Sequence, residues 1–150
     1  MPATQLLSKA QFVRQLRNRL VSHLYDESGV APEGVAIYSL SDPRDIRDIR
    51  YVGQTTAPRR RLLQHICTAR LWLPNERPWW VKSPKLRPLY DWLREIYRDG
   101  GRLPVMVVSA WTDVSNARAL ERDRIYDCMQ RKLSLLNFER ELLGRQIPLI

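Results

Sequence analysis

Val13, Leu16, Leu20, Val21 and Leu24 fall at helical intervals near the start of the chain, with Arg14, Arg17 and Arg19 on other faces, and this predicts an amphipathic N-terminal helix. The turn-rich Asp26-Glu27-Ser28-Gly29 ends it. After Ala31-Pro32-Glu33-Gly34, the apolar run Val35-Ala36-Ile37-Tyr38 starts a first strand. Ser41-Asp42-Pro43 and the charged stretch from Arg44 to Arg50 then lead into Tyr51-Val52-Gly53, a second strand paired to the first as a hairpin. Thr56 is placed to cap the next helix, which runs to about Leu71 and carries Pro58 in its first turn, where a missing N–H costs nothing.

Between Trp72 and Pro88, the prolines at 74, 78, 84 and 88 exclude a regular element and mark an ordered loop. A helix from about Leu89 to Arg98 follows, and Gly100-Gly101 separates it from a third strand, Val105-Met106-Val107-Val108. Ser115 or Asn116 can cap a last helix reaching about Lys132. The order helix, strand, strand, helix, helix, strand, helix predicts an α+β domain. It divides into an N-terminal helix and linker over 1–30, a main domain over 31–140 with a Pro/Trp-rich insertion at 72–88, and a C-terminal tail over 141–150.

The 150 residues are enough for one domain with a single core. Charge changes the picture more than length does: 25 Lys plus Arg stand against 16 Asp plus Glu, a formal charge of +9. A positive field of that size draws polyanions and speeds their encounter, so nucleic acid is the first partner to expect, with a merely solvated basic surface as the alternative. Cys67 and Cys128 both lie in helical segments and form no C-x-x-C pair, which argues against a zinc knuckle or disulfide framework and for a reducing compartment. No secretory leader and no membrane-length apolar run is seen, and a cytoplasmic protein is expected.

The candidate chemistry sits on these elements. In the helix after the hairpin, Leu62, Ile66, Ala69 and Leu73 form the buried stripe, and Arg61 and His65 fall one turn apart along its edge. A guanidinium there can hold a phosphate or stabilise charge developing on its oxygens, and an imidazole can accept or relay a proton. The plain alternatives are a solvated arginine of the Arg59-Arg60-Arg61 run and a satisfied histidine at the core edge. Glu121 lies among Ala117, Leu120, Ile125 and Cys128 on the last helix, where an ionised carboxylate needs a cationic partner. That partner is either a divalent ion, which binds through one or two carboxylates plus water and phosphate oxygens, or Arg124 one turn away. Tyr38 and Tyr51, at matching points of the hairpin, join this set if they do more than pack.

In the insertion, Trp79 and Trp80 stand among Arg77, Lys82, Lys85 and Arg87. Aromatics interleaved with cations serve a nucleic-acid-contacting loop, through stacking and phosphate contacts, and a hydrophobic lid over the core explains the tryptophans as well. The N-terminal helix either adds phosphate contacts through Lys9, Arg14 and Arg17 or covers the sheet, which is the favoured expectation.

Together these residues resemble the GIY-YIG nuclease family. Ala36-Ile37-Tyr38 and Tyr51-Val52-Gly53 look like its two signature triplets, with Ala36 where the first glycine usually stands. Arg61 and His65 match the Arg and His of its following helix, Glu121 its metal-binding glutamate and Asn137 its late asparagine, so the likeness runs from about Val35 to Asn137. The resemblance implies a three-stranded antiparallel sheet flanked by helices, with the N-terminal helix as an addition. It also implies an endonuclease that hydrolyses DNA phosphodiester bonds with one Mg²⁺ or Mn²⁺ ion. Tyr38 would be the general base, Tyr51 would align water or phosphate, and Arg61 would stabilise the pentacovalent phosphate. His65 would assist Tyr38, Glu121 would hold the metal, and Asn137 would support the site.

That scheme places a condition on Tyr38: a phenol with a pKa near about 10 is a poor base at neutral pH unless Arg61 and the metal favour phenolate. It also predicts that Tyr38, Tyr51, Arg61, His65 and Glu121 converge, and it fails if the two tyrosines open onto opposite sides of the sheet. DNA is the expected substrate, with RNA left open; a homodimer or partner protein would supply targeting. A non-catalytic nucleic-acid-binding module on the same fold, or a protein-interaction domain with incidental charge, are the competing readings.

Overall fold

The structure, a computed structural model, describes residues 7–137. The tail expected over 141–150 lies outside them. Helix α1 (Lys9–Leu20) starts at a capping box: Ser8 Oγ accepts from Gln11 N, and Gln11 Oε1 accepts in return from Ser8 N. A 3₁₀ turn, Val21–His23, leads into β1 (Leu24–Asp26), then come the hairpin strands β2 (Val35–Ser41) and β3 (Ile49–Thr55). Helix α2 (Pro58–Ala69), a 3₁₀ turn at Trp79–Lys82, α3 (Arg87–Arg98), β4 (Val105–Thr112) and α4 (Val114–Gln130) complete the described chain.

The α+β class holds, but the sheet is not the three-stranded antiparallel one expected. It has four strands in the order β1-β4-β2-β3: β2 runs antiparallel to both β3 and β4, and β1 adds to the far side of β4 in parallel. The N-terminal helix therefore ends earlier than its apolar spacing predicts, and Leu24, Tyr25 and Asp26 pair with Met106, Val107 and Val108 instead. Three residues cannot display an alternation, and their partner lies far along the chain, so only tertiary pairing creates this strand.

The helix starts differ too. Ala57, not Thr56, precedes α2, and its N–H is met by Thr55 Oγ1; Asp113, not Ser115 or Asn116, caps α4, accepting from Asn116 N at 2.9 Å.

Strand β2 is buried along its whole length, so it has helices on both of its faces. On one face Ala36, Tyr38 and Leu40 join Phe12, Leu16 and Leu20 of α1, Leu62 and Ile66 of α2, and Leu89 and Leu93 of α3 in the main core. On the other, Ile37, Ile49 and Val52 meet Ile125 and Cys128 of α4. Each large apolar side chain enclosed this way contributes about 1.5–3 kcal/mol. Helix α1 joins the core on that side of the sheet, packed chiefly against α2.

Candidate functional site

Alternation along β2 and β3 decides which residues meet. Tyr38 and Tyr51 face the α2–α3 side together, ring centroids 6.3 Å apart, although their strict cross-strand partners are Gly53 and Leu40. The sheet is irregular at Tyr38: Ile37 pairs with Ala110 but Tyr38 with Val108, leaving Ser109 as a bulge whose Oγ donates to Ile37 O. A bulge of this kind re-aims the neighbouring side chain. Gly53 makes room for the ring. A Cβ at that position would lie 2.5 Å from the Tyr38 hydroxyl oxygen and 2.6 Å from its Cζ.

His65 reaches the same hydroxyl from α2, with Nε2 2.7 Å from Tyr38 Oη. Its other nitrogen, Nδ1, is 3.2 Å from the hydroxyl of Tyr90 on α3. Tyr38 is 1% exposed and His65 fully buried, so this is an enclosed chain of phenol, imidazole and phenol. Burial, followed by the Arg61 charge, pushes the imidazole pKa down to about 3, so His65 is neutral with one ring N–H. Burial pushes Tyr38 well above the usual tyrosine range; Tyr51 adds to that effect and Arg61 opposes it. Burial lowers the pKa of Arg61 itself, and the surrounding phenols, Tyr38 first, more than restore it. The condition placed on Tyr38 is therefore unmet in the resting protein, where its proton is held tightly.

Asn137 is 6% exposed and clamps β3 rather than facing the cluster. Its Oδ1 accepts from Val52 N (3.0 Å) and its Nδ2 donates to Val52 O (2.8 Å). With Leu136 N donating to Arg50 O, the chain after α4 is tied to the outer edge of β3 and helps fix the Tyr51-Val52-Gly53 backbone.

Glu121 comes from the other layer. Its Oε2 accepts from Gln54 Nε2 at 2.6 Å, and Gln54 shares the α4-facing side of β3 with Val52. Gln54 directly follows Gly53, so the carboxylate and the Tyr38 hydroxyl are anchored at successive residues of the terminal strand β3, on opposite faces of the sheet. Arg124, the rival partner, pairs with Asp127 at 3.2 Å. Among the described residues no three His, Cys, Asp or Glu side chains gather as a metal cluster. Gln54 presents its N–H₂ to the carboxylate, so Glu121 is the one metal-ligating group of this pair, and a single carboxylate suits a hard cation that keeps most of its water, which is how Mg²⁺ binds.

The two tryptophans of the insertion separate. Trp80 is fully buried, its Nε1 donating to Thr68 O at 2.7 Å and its ring packed on Tyr90 and under the Arg94 guanidinium. It is part of the lid, so of the two uses weighed for the tryptophans Trp80 takes the lid and is not placed to contact nucleic acid. Trp79 is 64% exposed and, with Arg77 and Lys82, borders a cavity of about 530 Å³. Lys85 is exposed nearby, and Arg87 is paired with Asp91.

Three positions escape the sequence reading. They are Tyr90, Gln54 and Arg94, none of which that reading singles out. In the structure Arg94 is 7% exposed and donates to the carbonyls of Ala69, Arg70, Leu73 and Glu76, tying the end of α2 to the insertion. The signal for Arg94 is its place beside Leu93 on the buried side of α3; Tyr90 and Gln54 carry none without three-dimensional neighbours. No helix among the described residues is long and apolar enough to cross a membrane. Comparison with family models, with curated proteins and with solved structures finds no match to this chain.

Proposed function

We propose that this protein is a metal-dependent endonuclease of the GIY-YIG type that hydrolyses phosphodiester bonds in DNA. The observation that carries the reading is the 2.7 Å contact between Tyr38 Oη and His65 Nε2. It joins a signature-triplet tyrosine to the helix histidine, with Arg61 bearing on the same hydroxyl. The antiparallel β4-β2-β3 part of the sheet supports the fold side of the likeness; β1 is an addition to it.

In this reading Arg61 holds a non-bridging phosphate oxygen and stabilises the charge that builds there. Tyr38 takes the proton of the attacking water after passing its own to His65 Nε2, the acceptor its hydroxyl faces; burial opposes that transfer in the resting protein, and bound phosphate and metal would have to drive it. Tyr51, only half-buried, aligns water or phosphate, and Asn137 keeps Tyr51 and Gly53 in place through Val52. Glu121, oriented by the Gln54 amide, would hold Mg²⁺ or Mn²⁺, which when bound would lower the pKa of its water and neutralise the leaving oxygen. Trp79, Arg77, Lys82 and Lys85 offer a stacking face and cations to flanking nucleotides. RNA as substrate, a second subunit and a targeting partner belong to the same proposal.

A second reading has its own observation. Tyr38 and His65 are closed to solvent and both imidazole nitrogens have partners, which fits a structural cluster in a non-catalytic nucleic-acid-binding module. Plasmid nicking with Mg²⁺ or Mn²⁺ separates the two. The nuclease relaxes supercoiled DNA, Glu121→Ala abolishes this, and Tyr38→Phe slows it by roughly 10²–10⁴-fold. Salt-dependent DNA binding with no nicking under any divalent ion selects the binding module.

A further inference from the structure

Arg59, Arg60 and Arg61 are consecutive, so their side chains leave α2 about 100° apart and fan around its first turn. Arg61 bears on the Tyr38 hydroxyl, while Arg59 and Arg60 line a groove shared with α1. The groove has a volume of about 620 Å³. Its apolar floor is Leu20, Pro58 and Leu63, and Arg17 of α1 faces Arg59 and Arg60 across it. No acidic residue lines it.

The arginines of this groove differ from those that are neutralised elsewhere on the surface. Arg44, Arg47, Arg50, Arg70, Arg87, Arg102, Arg124 and Arg131 all pair with carboxylates. Arg17, Arg59 and Arg60 are exposed and have no ion-pair partner among the described residues. Three uncompensated guanidiniums around an apolar-floored groove repel one another, and a ligand carrying spaced negative charge would relieve that repulsion.

We propose that this groove binds the phosphate backbone of DNA flanking the bond held at Arg61. The strand crosses the first turn of α2 at Arg60 and sets its next phosphates between Arg17 and Arg59, with sugar faces over the Leu20–Leu63 floor. This rests on the nuclease reading for what lies at Arg61 and extends it by assigning the strand's path and a substrate-holding role to α1, which otherwise only packs into the core. A guanidinium pair suits the purpose because each can grip a phosphate through two N–H groups.

The test is the salt dependence of binding, read by fluorescence anisotropy of a labelled DNA duplex without divalent ion. Removing one phosphate-binding cation reduces the slope of log affinity against log salt concentration by about 0.9. Arg17→Gln/Arg59→Gln is expected to reduce it by about 2. Arg44→Gln/Arg47→Gln removes the same formal charge from arginines already paired with Asp42 and Asp45, and is expected to change it by less than half as much. Circular dichroism and melting temperature verify that both variants fold.

Equal reductions in the two variants would mean that charge alone matters and would overturn the groove, leaving the nicking activity of the wild type to stand by itself. A wild-type slope near zero would overturn the groove and nucleic-acid binding together.

Discussion

At Tyr90 the hydrogen bonding of His65 is decided. A neutral imidazole has one N–H, and the two contacts differ: 2.7 Å from Nε2 to Tyr38 and 3.2 Å from Nδ1 to Tyr90. The shorter distance suits an O–H donor and the longer an N–H donor. Tyr38 then donates to Nε2, and Nδ1–H donates to the Tyr90 oxygen. The hydrogens are inferred from this geometry. In the proposed mechanism Tyr90 is thus a positioning residue that keeps Nε2 available as an acceptor, the part a carboxylate plays behind the histidine of a catalytic triad. In ¹⁵N NMR the wild type is expected to show His65 protonated at Nδ1. Tyr90→Phe removes the acceptor and should shift the ring toward Nε2–H, with nicking slowed roughly 10–100-fold. An unchanged tautomer in that variant would show that Tyr90 only packs.

At the scale of elements, β3 is the piece on which the site depends. It carries Tyr51 on one face and Gln54 on the other, is clamped by Asn137, and leaves a gap at Gly53 that the Tyr38 ring fills. The backbone at Gly53 is ordinary; what forbids a side chain there is the ring behind it. Gly53→Ala is expected to cost about 1–3 kcal/mol in urea unfolding, because a buried ring braced by His65 cannot swing away. Combining it with Tyr38→Ala should recover most of that deficit, and fully additive destabilisation would count against the clash. The triplet glycine was legible in the sequence as part of a motif, and so were the hairpin, the helix with Arg61 and His65, and Asn137 as a support. What could not be read was β1, whose three residues carry no pattern of their own, and the placement of Glu121 across β3 from the phenols. Helical spacing shows that a carboxylate joins an apolar stripe. It does not show which face of the sheet that stripe covers.

Across the whole molecule, charge and burial act in different layers. The surplus of arginine lies outside, where composition predicts it, while the consequential ionisation is inside, at a histidine that no count can distinguish from a surface one. Folded His65 has its pKa near 3 and the unfolded chain's is 6.5, so between those values the unfolded state binds a proton that the folded state refuses. Stability is therefore fully present above pH 6.5 and declines as pH falls toward 3, by about 1.4 kcal/mol per unit once well below 6.5. The carboxylates act lower down: hydrogen bonds hold Asp26 and Asp113 below 3.8, Arg102 does so for Asp99, and Arg44 with Arg102 outweighs burial at Asp42. Their contribution fades only as pH drops below about 4. The window from pH 6 to 4.5 thus isolates His65. Urea unfolding across it should show stability falling steadily in the wild type and nearly flat in His65→Gln, which is less stable at pH 7 but has no such proton to take up. A wild type that is flat in this window would mean that His65 titrates normally in the fold. The closed phenol–imidazole–phenol chain would then have to open to water, and with it the ground for a neutral acceptor behind Tyr38 would be gone.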